Sequence, residues 1–91
     1  MKISDIAEIT TNFDQADFWL IRRGTLQTVG KPVKDFNPEH IGVRVTSNQV
    51  DAKYLYYWFM YLHSTGYWKS VTHGATNLVN IKLQDVKSII I

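Results

Sequence analysis

The 91-residue chain has no cysteine. Disulfides and thiolate metal sites are therefore excluded, and a reducing compartment, the cytoplasm, is the expected setting. Proline is scarce: both prolines, Pro32 and Pro38, fall in the one segment KPVKDFNPEH. Long apolar runs are missing too. The longest, Tyr54–Leu62, is nine residues, about half of a membrane span. The opening Met-Lys-Ile-Ser-Asp carries acid early and no apolar stretch, so no signal peptide is expected. No repeat, low-complexity run or linker interrupts the chain, and its length suits one domain, residues 1–91. A domain of this size buries roughly two-thirds of the surface its unfolded chain exposes. The core is modest and leaves room for a partner or a dimer contact.

Catalytic constellations are also lacking. His40, His63 and His73 are widely separated and show no metal-ligand spacing. His63 reads as a packed or rim histidine late in a helix. The only Gly-Lys pair, Gly30–Lys31, has neither the upstream glycine nor the trailing Ser or Thr of a phosphate-binding loop. Asp14 and Asp17 sit in turn-like composition, and nothing places a nucleophile beside a base. The expectation is a protein that is not an enzyme, with no catalytic residue, no metal and no cofactor.

What is present is mild basicity and many aromatic rings. The net charge is +2, and its distribution is uneven. From Phe18 to Thr46 the cations Arg22, Arg23, Lys31, Lys34 and Arg44 stand against Asp35 and Glu39, five against two, a local +3. The stretch Asp5–Asp17 is acidic. A basic central strip suits a phosphate-facing surface, but charge alone favours the simpler reading, an ordinary solvated face. The rings gather at Phe13–Trp19 and Tyr54–Trp68, a density typical of core or interface.

KISDIAEIT reads as a helical turn feeding a strand. DFWLIRR has strand composition, with Phe18, Leu20 and Arg22 on one face and Trp19, Ile21 and Arg23 on the other. TLQTVG alternates and predicts a strand ending at Gly30; KPVKDFNPEH predicts a loop. IGVRVT predicts a strand with Ile41, Val43 and Val45 inward and Arg44 outward. The clearest element follows: a helix capped by Asp51 and closed by Gly66, with Leu55, Phe59 and Leu62 on one stripe and Tyr54, Trp58 and Tyr61 on the next. YWKSV continues as a short helix, and HGATNLVN predicts a turn. IKLQDVKSI predicts a short helix capped near Asn80, and SIII a returning strand. The fold class expected is α+β: a small mixed or antiparallel sheet packed against one long aromatic helix, with a short C-terminal helix and strand.

The order of YLYYWF at Tyr54–Phe59, GAT at Gly74–Thr76, NI at Asn80–Ile81 and DV at Asp85–Val86, followed by Ile89 and Ile91, carries a resemblance. So does the opening KISDIAEI. These motifs, over roughly the first ten and last forty residues, resemble the target-recognition domains of the specificity subunits of type I restriction-modification systems. IRRGTLQTVG is a weaker echo of the family's glycine-containing central strands. Family domains are longer and pair through long helices that have no counterpart here. The resemblance thus implies a minimal or trimmed recognition domain, such as a phage or mobile element would carry.

That resemblance implies binding of duplex DNA by loops and strand ends, alone or with methyltransferase or restriction subunits. Residue chemistry is compatible. Arg22, Arg23, Lys31, Lys34 and Arg44 suit phosphates, and Lys69, His73 and Lys82 flank the GAT turn. Thr72, Thr76, Asn77 and Asn80 suit base edges or the sugar-phosphate backbone, and Gly74 allows close approach. A turn and a helix cap account equally well for Asn77 and Asn80. Two other readings stay open. A small protein-binding regulator or restriction inhibitor would use the aromatic helix, through Tyr54, Tyr57, Trp58, Tyr61 and Trp68, as its interface. A homodimer would bring the same rings together across a two-fold axis. A DNA mimic is disfavoured by the positive charge.

Overall fold

The computed structural model describes residues 1–75 and 78–91; Thr76 and Asn77 lie outside the described residues. Along the chain run a 3-10 turn (Ile3–Asp5), β1 (Ala7–Thr11), β2 (Phe18–Leu20), β3 (Arg23–Gly24), β4 (Pro32–Val33) and β5 (Ile41–Val45). Then come α1 (Ala52–Ser64), a second 3-10 turn (Tyr67–Ser70), β6 (His73–Ala75), β7 (Leu78–Asn80) and α2 (Leu83–Lys87). The class is α+β, but the strands form two sheets. One has the order β1-β5-β2-β4 and the other β3-β7-β6, and every pairing is antiparallel.

The four-stranded sheet is read directly from alternation. In its register Ile9, Val43 and Phe18 stand in one row, and Ile41, Leu20 and Pro32 in another. All six are buried, and all but Pro32 belong to the same core as Leu55 and Phe59 of α1. Phe18 meets Tyr56 edge-on with ring centroids 5.6 Å apart, and packs tilted against Phe59 at 5.8 Å. The helix itself starts where its chemistry says: the Asp51 carboxylate accepts the Lys53 amide at 2.9 Å, and Gly66 closes the far end at φ +80°. Leu55 and Phe59, one turn apart, are fully buried, while Leu62 is half-buried.

The opposite face of this sheet is not bare. Gly42 lets the segment Phe13–Ala16 lie flat on β5; a Cβ there would come within 2.7 Å of Phe13 Cβ and 2.9 Å of Ala16 Cβ. The Trp19 indole donates to the Phe13 carbonyl at 2.9 Å and has Phe36 against its ring at 6.0 Å. A thin second apolar layer results.

Four expectations need correction. DFWLIRR is not one strand. After Leu20 the chain leaves the first sheet, and Arg23–Gly24 join the second, because Val79 and Asn80 supply the ladder partners there. TLQTVG is a turn, not a strand. Thr28 and Val29 both donate to the Thr25 carbonyl, and the Thr25 amide bonds the Thr28 hydroxyl, so local side-chain bonding outcompetes the ladder. HGATNLVN carries two paired strands, β6 and β7, rather than a turn alone. SIII forms no strand; only Ile90 bridges, to Lys2. KPVKDFNPEH is loop except for Pro32–Val33 at the sheet's edge.

Both chain ends lie on the same edge. Ile3 donates to the Ile89 carbonyl and Ile91 to the Met1 carbonyl, each at 2.9 Å. Two short motifs mirror each other there: Lys2-Ile-Ser-Asp5-Ile6 and Lys82-Leu-Gln-Asp85-Val86. In each the lysine amide donates to the aspartate carboxylate three residues on, at 2.8 Å.

Candidate nucleic-acid interface

The small sheet is built around Val79, which is buried. Its register neighbours are Gly24 on β3 and Gly74 on β6. These share the inward face, and neither places a side chain there. Gly74 sits at φ +113°, and a Cβ would come within 2.7 Å of the Leu78 carbonyl oxygen. Alternation then sends the flanking residues outward. Arg23, Asn80 and His73 form one row across all three strands, with Ala75 and Leu78 as the next pair on the same face. Arg23, His73, Ala75 and Leu78 are exposed and Asn80 is half-exposed.

This row is held in place by side-chain bonds. Asn80 Nδ2 donates to the His73 carbonyl at 3.3 Å, leaving its amide oxygen free of any protein partner among the described residues. His73 Nε2 lies 3.0 Å from Asp85 Oδ2, the oxygen that also accepts the Lys82 amide at the start of α2. The ribbon β6–β7 is thus tied to α2, with the Lys82 side chain exposed beside that tie. Arg23 has one weak partner, Glu39, at 3.7 Å, with both side chains more than half exposed. An exposed pair of that length contributes little. Beside Glu39, His40 is half-buried; burial lowers its pKa below the ordinary histidine value, and Glu39 acts in the opposite sense.

The five central cations do not form one strip. Arg44 projects from β5 opposite Glu8, on the face away from α1, because its neighbour Val43 points into the core. Lys34 lies on the other face, its Nζ 5.0 Å over the Tyr56 ring of α1. With Lys53 and Asp17 it lines a cleft of about 390 Å³ at the start of the helix. Lys31 is exposed on the strand-like segment that pairs with Ile21. Arg22 is half-buried, its Nε enclosed without a partner among the described residues. Asp17 is no partner for either arginine, since its carboxylate accepts the Val45 amide at 2.8 Å. Only Arg23 joins the His73–Asn80 row.

Of the remaining expected site residues, Thr72 is half-buried just ahead of β6. Lys69 is exposed at the C-terminal end of α1, where it lines a cleft of about 210 Å³ with Gln27, His63 and Gly66. His63 is fixed there by the Gln27 carbonyl, 2.7 Å from its Nε2. Thr76 and Asn77 lie outside the described residues. Sequence reasoning missed Ala75 and Leu78. The alternation of Leu78 and Asn80 about Val79 was the available signal.

The aromatic helix divides. Tyr54, Tyr57 and Tyr61 are exposed at 63%, 54% and 66%, on successive turns of one face. Trp58 is half-buried with its ring against Phe59 at 5.2 Å. Trp68 is not an interface residue: it is 1% exposed and belongs to the core, where Gly30 rests against its indole.

Among the described residues no three His, Asp or Glu side chains gather where they could hold a metal ion. No described helix is long and apolar enough to cross a membrane. Comparison of the sequence with family models, with curated proteins and with solved structures finds no match to any of them.

Proposed function

We propose that this domain is a binding module for duplex DNA, and that its contact surface is the outer face of the three-stranded sheet. One observation carries the reading. A cation, a carboxamide and an imidazole from three different strands stand in a single cross-strand row, solvent-facing, on a ribbon exposed along β6. Arginine is suited to phosphate or to guanine, and an amide with a free oxygen to a base-edge donor. Lys82 adds a second phosphate-seeking charge at the ribbon's base. The resemblance to target-recognition domains of type I specificity subunits agrees with this reading, because Gly74 and Ala75 of its GAT motif lie in β6 and Asn80 of its NI motif ends β7. Association with methyltransferase or restriction subunits belongs to the same proposal, as does a cytoplasmic setting. On this reading the chain binds and does not catalyse.

The test is a titration of random-sequence duplexes at two salt concentrations. Arg23→Ala with Lys82→Ala is expected to weaken binding and to reduce the log–log salt slope by about two units, near one per phosphate contact. Arg44→Ala, on the four-stranded sheet and outside this row, is expected to leave both unchanged. Equal effects from the two variants would reject the outer face as the contact surface, and absence of salt-dependent binding would reject DNA as the ligand.

One observation favours a second reading, a protein-binding regulator or homodimer. The exposed Tyr54–Tyr57–Tyr61 face of α1 offers three large rings to solvent, and tyrosine is enriched where interfaces are dry at the centre.

A further inference from the structure

Among the described residues, the outer face of the ribbon is polar at its base and apolar in the pair beyond it. Asn80 and His73 form the basal pair, and Leu78 and Ala75 the pair beyond it. Leu78 is 67% exposed. No core need explains it, since its neighbour Val79 already fills the inward position. A lone exposed leucine is ordinary, but this one sits directly across from a second apolar side chain, in line with the residues assigned to base contact.

A two-stranded ribbon fits the major groove, which is roughly 12 Å wide. There each base edge offers donors and acceptors, with one exception: thymine also presents a methyl group. Apolar side chains distinguish it from the other bases by burying that methyl. A ribbon that enters with Asn80 on its groove-facing side carries Leu78 and Ala75 against the base edges on the same side.

We propose that Leu78, backed by Ala75, is a specificity-determining residue that packs on the thymine methyl group in the major groove. This rests on the DNA-binding reading and extends it. The occupant follows from charge as well as shape, because Arg23 stands in the row next to the apolar pair, Lys82 follows at the ribbon's base, and the duplex is a polyanion. A minor-groove wedge by the same leucine would respond to base stacking and not to the methyl group.

The test compares two pools of random-sequence duplexes, one with thymine and one with deoxyuridine at every thymine position. The swap removes the methyl and leaves charge and base pairing intact. Intact protein is expected to bind the thymine pool about fourfold more tightly, the effect of burying one methyl group, with the same salt slope for both pools. Leu78→Ala is expected to bind the two pools nearly alike. The residue is exposed, so the variant should keep the parent's circular dichroism and melting temperature. Equal binding of both pools by the intact protein would overturn the proposal while leaving DNA binding standing. A preference that survives in Leu78→Ala would assign the methyl contact elsewhere and overturn it too. No salt-dependent binding of either pool would overturn this inference together with the reading beneath it.

Discussion

At the scale of single residues, two glycines with nearly the same backbone separate two roles. Gly30 and Gly66 have φ of +84° and +80°. A side chain at either incurs the left-handed backbone cost, about 1 kcal/mol. At Gly66 the nearest atom a Cβ would meet is Lys69 Cδ at 3.8 Å, an ordinary contact. At Gly30 the Cβ would overlap the Trp68 indole, which is buried and cannot retreat. Gly30→Ala should therefore cost at least about 2 kcal/mol more than Gly66→Ala, because overpacking adds to backbone strain. Chemical denaturation of the two variants measures the difference; equal losses would mean that Trp68 yields. Gly66 was legible in the sequence as a helix terminator, since its place follows from local cap chemistry. The need for glycine at 30 was not, because it depends on a ring thirty-eight positions away.

At the scale of elements, α1 was readable at both ends and β6–β7 was not. The helix carries its own cap and a buried pair one turn apart. The ribbon is made of three-residue strands, and His-Gly-Ala has little strand character by itself. It pairs because Val79 reaches the core and because Asp85 reaches His73. The switch of the chain between sheets after Leu20 was hidden for the same reason: its ladder partners lie more than fifty residues away. Asp85 serves two elements at once, accepting the Lys82 amide and the His73 ring on one oxygen. Asp85→Ala should lower stability by roughly 1–2 kcal/mol through the lost cap and contact. Amide hydrogen exchange should quicken at His73–Ala75 and Leu78–Asn80 as well as at the start of α2. Faster exchange confined to α2 would show that the ribbon holds itself. A charge-based reading failed at this scale too. Adjacent strand residues point to opposite faces, so a local excess of cations along Phe18–Thr46 dispersed over the surface on folding.

At the scale of the whole molecule, the two sheets and α1 share one core, which runs from Ile3 and Ile89 through Phe18 and Phe59 to Trp68 and Val79. The α+β class followed from a strand-rich first half and one strong helix; that the strands would divide into two sheets did not. The three tyrosines of α1 are the largest aromatic surface left outside that core. If they join copies of the chain, sedimentation should show a dimer at micromolar concentration that Tyr57→Ser with Tyr61→Ser converts to monomer. Both side chains are exposed, so the fold should survive the change. A monomer before and after would remove the homodimer reading and leave a heterologous partner as the remaining use of that face.

The pairing of Met1 with Ile91 has a consequence for architecture. Entry and exit stand one hydrogen bond apart, so a host polypeptide could carry this unit as a cassette in a surface loop without prising its own scaffold open.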